Sequence, residues 1–258
     1  MQLMMVPKKQ ATQSKKHSSF KILYINKMKT LILTGSDNKM FDLLDLTLKS
    51  KIEYCTKHGY DLMVKKQWSD ITELNFCAKK NLGFLRVFTA FQRLSIYDLV
   101  VWIDADAFIT NFNYKIEDIA NSDHCFFVSR DWFFDENDQN ITVNTGNFIL
   151  KKTSEINSFY ESFAKTSQMF LNDATQEQRT FNYMYFSGMQ TKNMRIVDKK
   201  YLNSVPELMF ETETWKGRRP IANPWTKDCF IAHLTGASNQ ERIDIFNKIE
   251  KLTMETHH

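Results

Sequence analysis

Val100-Val-Trp-Ile-Asp-Ala-Asp-Ala-Phe-Ile109 is the stretch on which the reading of this chain turns. Apolar residues run unbroken from Leu99 to Ile103 and stop at two carboxylates, Asp104 and Asp106, one residue apart. Such a run reads as a strand buried on both faces, as in a parallel sheet covered by helices. In open α/β sheets ligands bind outside the carboxyl ends of the strands, so both acids emerge where a substrate would lie. Alternation along an extended chain points residues i and i+2 the same way, letting both carboxylates face one cation. Hard oxygen ligands suit Mn²⁺ or Mg²⁺, and small Ala105 leaves room beside them. The plainer reading is a pair of solvated turn aspartates. Two acids directly after five apolar residues are costly, however, unless a metal, hydrogen bonds or cations compensate them.

Working outward, strands and helices alternate in the manner of an α/β fold. Thr30-Leu-Ile-Leu-Thr34 predicts a first buried strand, stopped by Gly35-Ser-Asp-Asn38. Met40, Leu44, Leu48, Ile52 and Cys55 fall at helical spacing, with Gly59 where a left-handed C-terminal cap belongs. Tyr60 to Val64 reads as a second strand, and about Phe76 to Ile96 as the helix that delivers the chain to Leu99. Downstream, strands are expected near Cys125 to Ser129, at Asn147 to Leu150 and at Asp228 to His233. Helices are expected near Glu155 to Phe170, Thr175 to Phe186 and Asn239 to Leu252. Residues 1–28 are polar and patternless and read as a loose leader, with the catalytic unit over 29–254.

Composition narrows the function classes. The 258 residues are 43% hydrophobic, enough to fill a substantial core. The net charge of +4 is scattered rather than gathered in blocks, which argues against nucleic acid as a partner. Cys55, Cys77, Cys125 and Cys229 lack any CxxC spacing and read as buried thiols. No apolar run approaches the roughly 20 residues of a membrane helix, and Lys8, Lys9, Lys15 and Lys16 precede no apolar signal segment. No membrane span is expected. A DxDx(T/V) phosphatase of the haloacid-dehalogenase type would place its motif on the first strand and Thr or Val where Phe108 stands, so it fits poorly.

Four segments in fixed order carry a resemblance: Ile52-Glu-Tyr-Cys-Thr-Lys-His-Gly-Tyr60, Trp102-Ile-Asp-Ala-Asp-Ala107, Asn144-Thr-Gly-Asn-Phe-Ile-Leu150 and Asp228-Cys-Phe-Ile-Ala-His-Leu-Thr-Gly236. The chain resembles retaining glycosyltransferases of the nucleotide-diphospho-sugar transferase (GT-A) fold, and most of all glycosyltransferase family 34. That family holds galactosyl-, mannosyl- and xylosyltransferases. The resemblance implies a single Rossmann-like domain with a mostly parallel central sheet flanked by helices. It implies Mn²⁺ or Mg²⁺ held by Asp104, Asp106 and His233, a nucleotide-diphosphate sugar donor and a glycan or glycolipid acceptor. A UDP-sugar stands ahead of a GDP-sugar.

Around the donor, Thr34, Asn144, Gly146 and Gly236 are expected to join Asp104 and Asp106. Asn144-Thr-Gly146 is expected as a turn whose Asn144 amide offers a donor and an acceptor to sugar hydroxyls. Glu177 and Gln178 match an acid-Gln pair that in relatives lies below the donor sugar, which makes them the catalytic candidates; an exposed first helical turn is the plainer account. His233 leaves the apolar Phe230-Ile-Ala232 run as a further ligand. Lys79, Lys80 and Arg86 are donor-side cations by position. Trp132, Phe133, Phe134, Trp215 and Trp225 are candidates for an acceptor platform, beside an acid-rich loop from Asp131 to Gln139.

Two departures stand out. Relatives often carry a Lys beyond the Gly that follows the histidine, whereas this chain has Ala237-Ser-Asn239, leaving Arg218, Arg219 or Lys227 as replacements. Eukaryotic relatives also have a membrane anchor, so the expectation here is a cytoplasmic enzyme, peripheral to a membrane carrying its acceptor. Two other readings remain. A sugar-nucleotide pyrophosphorylase needs a Gly-rich basic loop that Gly35-Ser-Asp-Asn38 does not supply. A non-catalytic nucleotide-sugar or glycan-binding protein of the same fold is separated from an enzyme only by turnover.

Overall fold

The computed structural model describes residues 28–66, 68, 82–131, 142–173, 175–218 and 223–254. Its first strand, β1 (Thr30–Gly35), is buried along its whole length. Leu31 and Leu33 face one core cluster and Ile32 another, so both faces are covered and the aliphatic run needs no polar alternation. The same holds for β3 (Leu99–Ile103), where Val100 and Trp102 point one way and Leu99, Val101 and Ile103 the other. Between them come α1 (Phe41–His58), β2 (Asp61–Lys65) and α2 (Leu82–Arg93). α1 ends at Gly59, which takes a φ of 68° and donates its N–H to the Cys55 carbonyl. Only a residue without Cβ adopts that conformation cheaply.

Beyond β3 the chain forms β4 (Ala107–Ile109), α3 (Ile116–Ile119), β5 (Phe126–Arg130), β6 (Val143–Lys151), α4 (Ile156–Ser167), α5 (Gln176–Phe186), β7 (Met194–Val197), α6 (Lys199–Leu202), β8 (Ile231–His233) and α7 (Asn239–Met254). Six strands make a sheet in the order β2-β1-β3-β6-β5-β7. Only β6 runs against the others, pairing antiparallel with β3 on one side and β5 on the other. The expected mostly parallel sheet flanked by helices is therefore present. α2, α4 and α5 cover one face and α1 and α3 the other.

The edge strand β7 and the short helices α3 and α6 were not anticipated, and neither were two features beside the site. β4 and β8 form a separate two-stranded antiparallel ribbon, Ala107 opposite His233, under which a third core cluster gathers Phe108, Trp215, Phe246 and Ile249. The Asn144-Thr-Gly146 stretch is also not a turn. It lies inside β6, where the pairing jumps from Val128 opposite Phe148 to Ser129 opposite Asn144, so residues 145–147 bulge. Bulges of this kind re-aim backbone and side chains beside a site.

The segment 69–81, with Cys77, Lys79 and Lys80, lies outside the described residues, as do residues 1–27 and 132–141. Cys55, Cys125 and Cys229 are buried free thiols. Among the described residues no helix is long and apolar enough to cross a membrane.

Candidate metal and donor site

Where β3 ends, the chain turns instead of staying extended: Ala107 N–H donates to the Asp104 carbonyl at 3.2 Å. This tight turn, rather than strand alternation, makes the Asp104 and Asp106 carboxylates converge. The ribbon partner β8 delivers His233 opposite, so that one ligand atom from each of Asp104, Asp106 and His233 lies within 4.8 Å of the others. His233 Nδ1 sits 2.7 Å from Asn203 Oδ1, while Asn203 Nδ2 donates to the Arg130 carbonyl at 2.8 Å. That second bond fixes the amide, so Asn203 Oδ1 must accept and Nδ1 carries the proton. His233 Nε2 then faces Asp106 Oδ1 at 3.4 Å. A cation bound between them would take the Nε2 lone pair, and a His held by an amide through its other nitrogen is a usual metal-site arrangement. Two carboxylates and one imidazole suit Mn²⁺ or Mg²⁺.

Gly146 explains why nothing fills this space. A Cβ there would fall 2.5 Å from His233 Cε1 and 2.9 Å from Asp104 Oδ2.

The turn is held from beneath by α1. Thr47 Oγ1 donates to the Ala105 carbonyl at 2.9 Å, and Lys51 Nζ donates to the Ala107 carbonyl at 2.7 Å and to Thr47 Oγ1 at 2.8 Å. Both carbonyls flanking Asp106 are thus fixed by one helix turn. Lys51 is fully buried. Burial pushes its ammonium down to about 7, with Asp106 and Asp104 opposing the shift. Neither Lys51 nor Thr47 stood out in the sequence, because a lysine on an amphipathic helix reads as solvated.

Charges on each carboxylate are matched unequally. Burial pushes Asp104 above the ordinary carboxylate range, against the pull of Arg86. Its Oδ1 accepts from Arg86 and, at 2.6 Å, from Trp102 Nε1. Burial also pushes Asp106 upward, but His233 and Arg242 beside it hold its carboxyl below the usual range. Arg242 Nη2 stands 3.3 Å from Asp106 Oδ2, and its Nε donates to the Leu234 carbonyl at 2.9 Å. Arg242, on α7, is thus a second guanidinium at the site beside Arg86. Of the three expected replacements, Arg218 lies over the Trp215 ring, Lys227 lines a separate groove between α1 and α7, and Arg219 is outside the described residues.

A cleft of about 450 Å³ opens beside the carboxylates, lined by Ser36, Asp37, Trp68, Arg86, Asp104, Asp106 and Glu177 among others. Glu177, at the start of α5, is buried; its Oε1 accepts from Arg86 Nη2 and, at 3.0 Å, from Thr145 Oγ1. Arg86 therefore bridges Glu177 to Asp104, and the two carboxylates raise its already high pKa despite burial. Gly83 is required opposite, since a Cβ there would run into the Glu177 carboxylate. Gln176, the first residue of α5, has a φ of 27°, a conformation that side-chain-bearing residues rarely adopt, and it also lines the cleft.

Other expected contacts are displaced. Thr34 is fully enclosed and does not line the cleft, whereas Ser36 two residues on does. The Thr34 and Ser36 hydroxyls have no hydrogen-bond partner among the described residues. Both ends of the Asn144 amide are engaged, Nδ2 with Asp131 Oδ1 at 3.2 Å and Oδ1 with Gly146 N–H at 2.9 Å. Gln178 is likewise held, donating to Asp131 Oδ2 at 3.2 Å and accepting from Thr145 N–H at 3.3 Å. Asp131 thus orients two expected donor residues. Gly236, at a φ of 73°, packs against the Trp215 ring. Trp215 is wholly buried and Trp225 packs on the same core, so neither makes an open platform; Trp132, Phe133 and Phe134 fall outside the described residues.

A mostly parallel sheet with an acid pair at the end of its third strand and a histidine returned by an antiparallel ribbon is the architecture of a GT-A glycosyltransferase. The structure resembles that of a glycosyltransferase involved in the glycosylation of the major capsid of PBCV-1, with a TM-score of 0.59 and 19% identity over 85% of this chain and 99% of that one. In sequence, residues 26–125 match the galactosyl transferase GMA12/MNN10 family, glycosyltransferase family 34. Over those residues the chain is similar to that family. It is 30% identical over 132 residues to "Probable glycosyltransferase 5" of Oryza sativa subsp. indica, which is 48% of this chain and 28% of that protein. It is 28% identical over 141 residues to "Probable xyloglucan 6-xylosyltransferase 3" of Arabidopsis thaliana, 50% of this chain and 29% of the relative. The chain therefore spans under a third of the length of these plant relatives.

Proposed function

We propose that this protein is a divalent-metal-dependent glycosyltransferase, moving a hexose or pentose from a nucleoside-diphosphate sugar to a hydroxyl of a glycan or glycolipid with retention of anomeric configuration. The observation that carries the reading is the convergence of Asp104, Asp106 and His233 at one edge of a cleft whose other wall is the Arg86–Glu177 pair. Asp104, Asp106 and His233 would hold Mn²⁺ or Mg²⁺, which supplies Lewis-acid neutralisation of the leaving diphosphate. Arg242 adds a fixed positive charge beside Asp106, on the side the diphosphate would leave from. Ser36, Asp37 and Trp68 form the wall available to the nucleoside. Glu177 lines the cleft with its carboxylate paired to Arg86, where it would stabilise positive charge developing at the anomeric carbon. Gln178 supports that wall by anchoring the Thr145 amide.

With fold and plant relatives together, a UDP-sugar is the leading donor class and GDP-mannose the next. A cytoplasmic location belongs to the same proposal. The test is calorimetric titration of UDP and of GDP with and without Mn²⁺, repeated on Asp106→Ala. Binding of one nucleotide that needs Mn²⁺ and disappears in the variant is expected. No binding of either nucleotide under any metal would sink the transferase reading.

A further inference from the structure

The far end of α5 carries a surface that the donor site does not use. Among the described residues nine large apolar side chains are exposed, and four of them lie within twenty-one positions: Met169 at 62%, Tyr183 at 40%, Phe186 at 53% and Met189 at 48%. They form one face. The Phe170 ring lies 5.7 Å from the Tyr183 ring, Met189 Sδ sits 3.8 Å from Thr166 Oγ1, and Gln190 Nε2 donates to Ser162 Oγ at 2.7 Å. The C-terminal turn of α4, the 3-10 turn after it and the end of α5 are thereby continuous. The other exposed apolar residues are scattered over separate elements and need no explanation.

The rim of this face is basic. Lys165 stands one helical turn before Met169, Arg179 one turn before Tyr183 and Lys192 three residues after Met189, all exposed. Between Lys165 and Lys192 the acids are Asp173, which lies beside Arg179, and Glu177, which is buried against Arg86. With exposed Glu161 one turn before Lys165, the face carries three cations against two outward acids. Methionines and aromatics that can enter the head-group layer, ringed by cations, are what an anionic bilayer selects.

We propose that the Met169–Tyr183–Phe186–Met189 face docks the protein onto an anionic lipid surface. Glu177 and Phe186 are nine residues apart on α5, about 14 Å along the helix, so the docking face lies at the end of α5 away from the cleft and stands independently of the transferase reading.

Co-sedimentation of the full chain with vesicles of equal parts phosphatidylglycerol and phosphatidylcholine, and with pure phosphatidylcholine, tests it. The protein is expected to sediment with the first and far less with the second. Phe186→Ser with Met189→Ser should weaken binding about tenfold or more. Lys165→Gln with Lys192→Gln should reduce the preference for anionic vesicles about tenfold. Circular dichroism and UDP binding with Mn²⁺ are expected to stay unchanged in both double variants. Absence of sedimentation, or sedimentation indifferent to these substitutions, overturns the proposal. So does a dimer on gel filtration that Phe186→Ser with Met189→Ser disperses, since the occupant is then a second copy. Loss of UDP binding in the wild-type protein, with lipid binding retained, would remove the transferase reading and leave the surface standing.

Discussion

At the scale of single residues, Lys51 shows how a metal-site loop is held without touching its ligands. It is wholly buried, and its Nζ reaches the Thr47 hydroxyl and the Ala107 carbonyl; the negative charge that offsets its own belongs to Asp104 and Asp106. Its folded-state pKa, lowered to about 7 from 10.5, fixes the sign of a pH effect. Between those values the unfolded chain binds more protons than the native one, so stability rises with pH across that window. The slope is at most about 1.4 kcal/mol per pH unit. In metal-free protein, urea unfolding at about pH 7 and about pH 9 should therefore show wild type gaining stability relative to Lys51→Met as pH rises. A wild-type-to-variant difference that stays constant would mean the buried ammonium is not titrating there. His233 and Arg242, not Lys51, are the groups that hold the Asp106 carboxyl below its usual range although burial opposes it.

At the scale of elements, the strands that carry the metal ligands were the most legible part. Unbroken aliphatic runs marked β1 and β3, and Asp104 and Asp106 followed directly; the His233 strand was visible from Phe230-Ile-Ala232. Three-residue β4 was invisible because a strand that short has no period, and with it went the ribbon that sets Ala107 against His233. Arg242 and Lys51 were missed because helical spacing tells which face is apolar, not which long polar side chain turns inward. The glycine in Asn144-Thr-Gly146 suggested a turn, whereas it serves a bulged strand: the pairing of β5 with β6 slips there and Gly146 passes against Asp104 and His233. This makes Gly146→Ala informative. The variant should keep the unfolding cooperativity of wild type, because only the bulge is disturbed. Its Mn²⁺ affinity in the presence of UDP should fall by about 10- to 100-fold, the usual cost of displacing ligand geometry. Electron paramagnetic resonance of free Mn²⁺ reads this directly, and an undiminished affinity would show that the cation is held elsewhere.

At the scale of the whole molecule, the site is assembled from segments remote in sequence. Asp104 and Asp106 follow β3, Glu177 opens α5, His233 ends β8 and Arg242 reaches back from α7. Residues 26–125, where the family likeness lies, supply Arg86 and the two aspartates, while His233, Glu177 and Arg242 fall beyond it. A ligand that touches all of these must couple the β4–β8 ribbon and α7 to the main sheet, and it can bind only when both are folded. Linkage then converts binding into global stability: at one hundred times its dissociation constant a ligand adds about 2.7 kcal/mol. For a chain of this size that corresponds to a rise in Tm of roughly 5 to 10 °C. UDP with Mn²⁺ should produce this shift in a single cooperative transition, and neither component alone should do so. Asp106→Ala should remove it. If instead the added stability appeared as a second transition, with one part of the chain melting as in the free protein, the ligand would be touching the main sheet alone, and His233 and Arg242 would have no part in holding it.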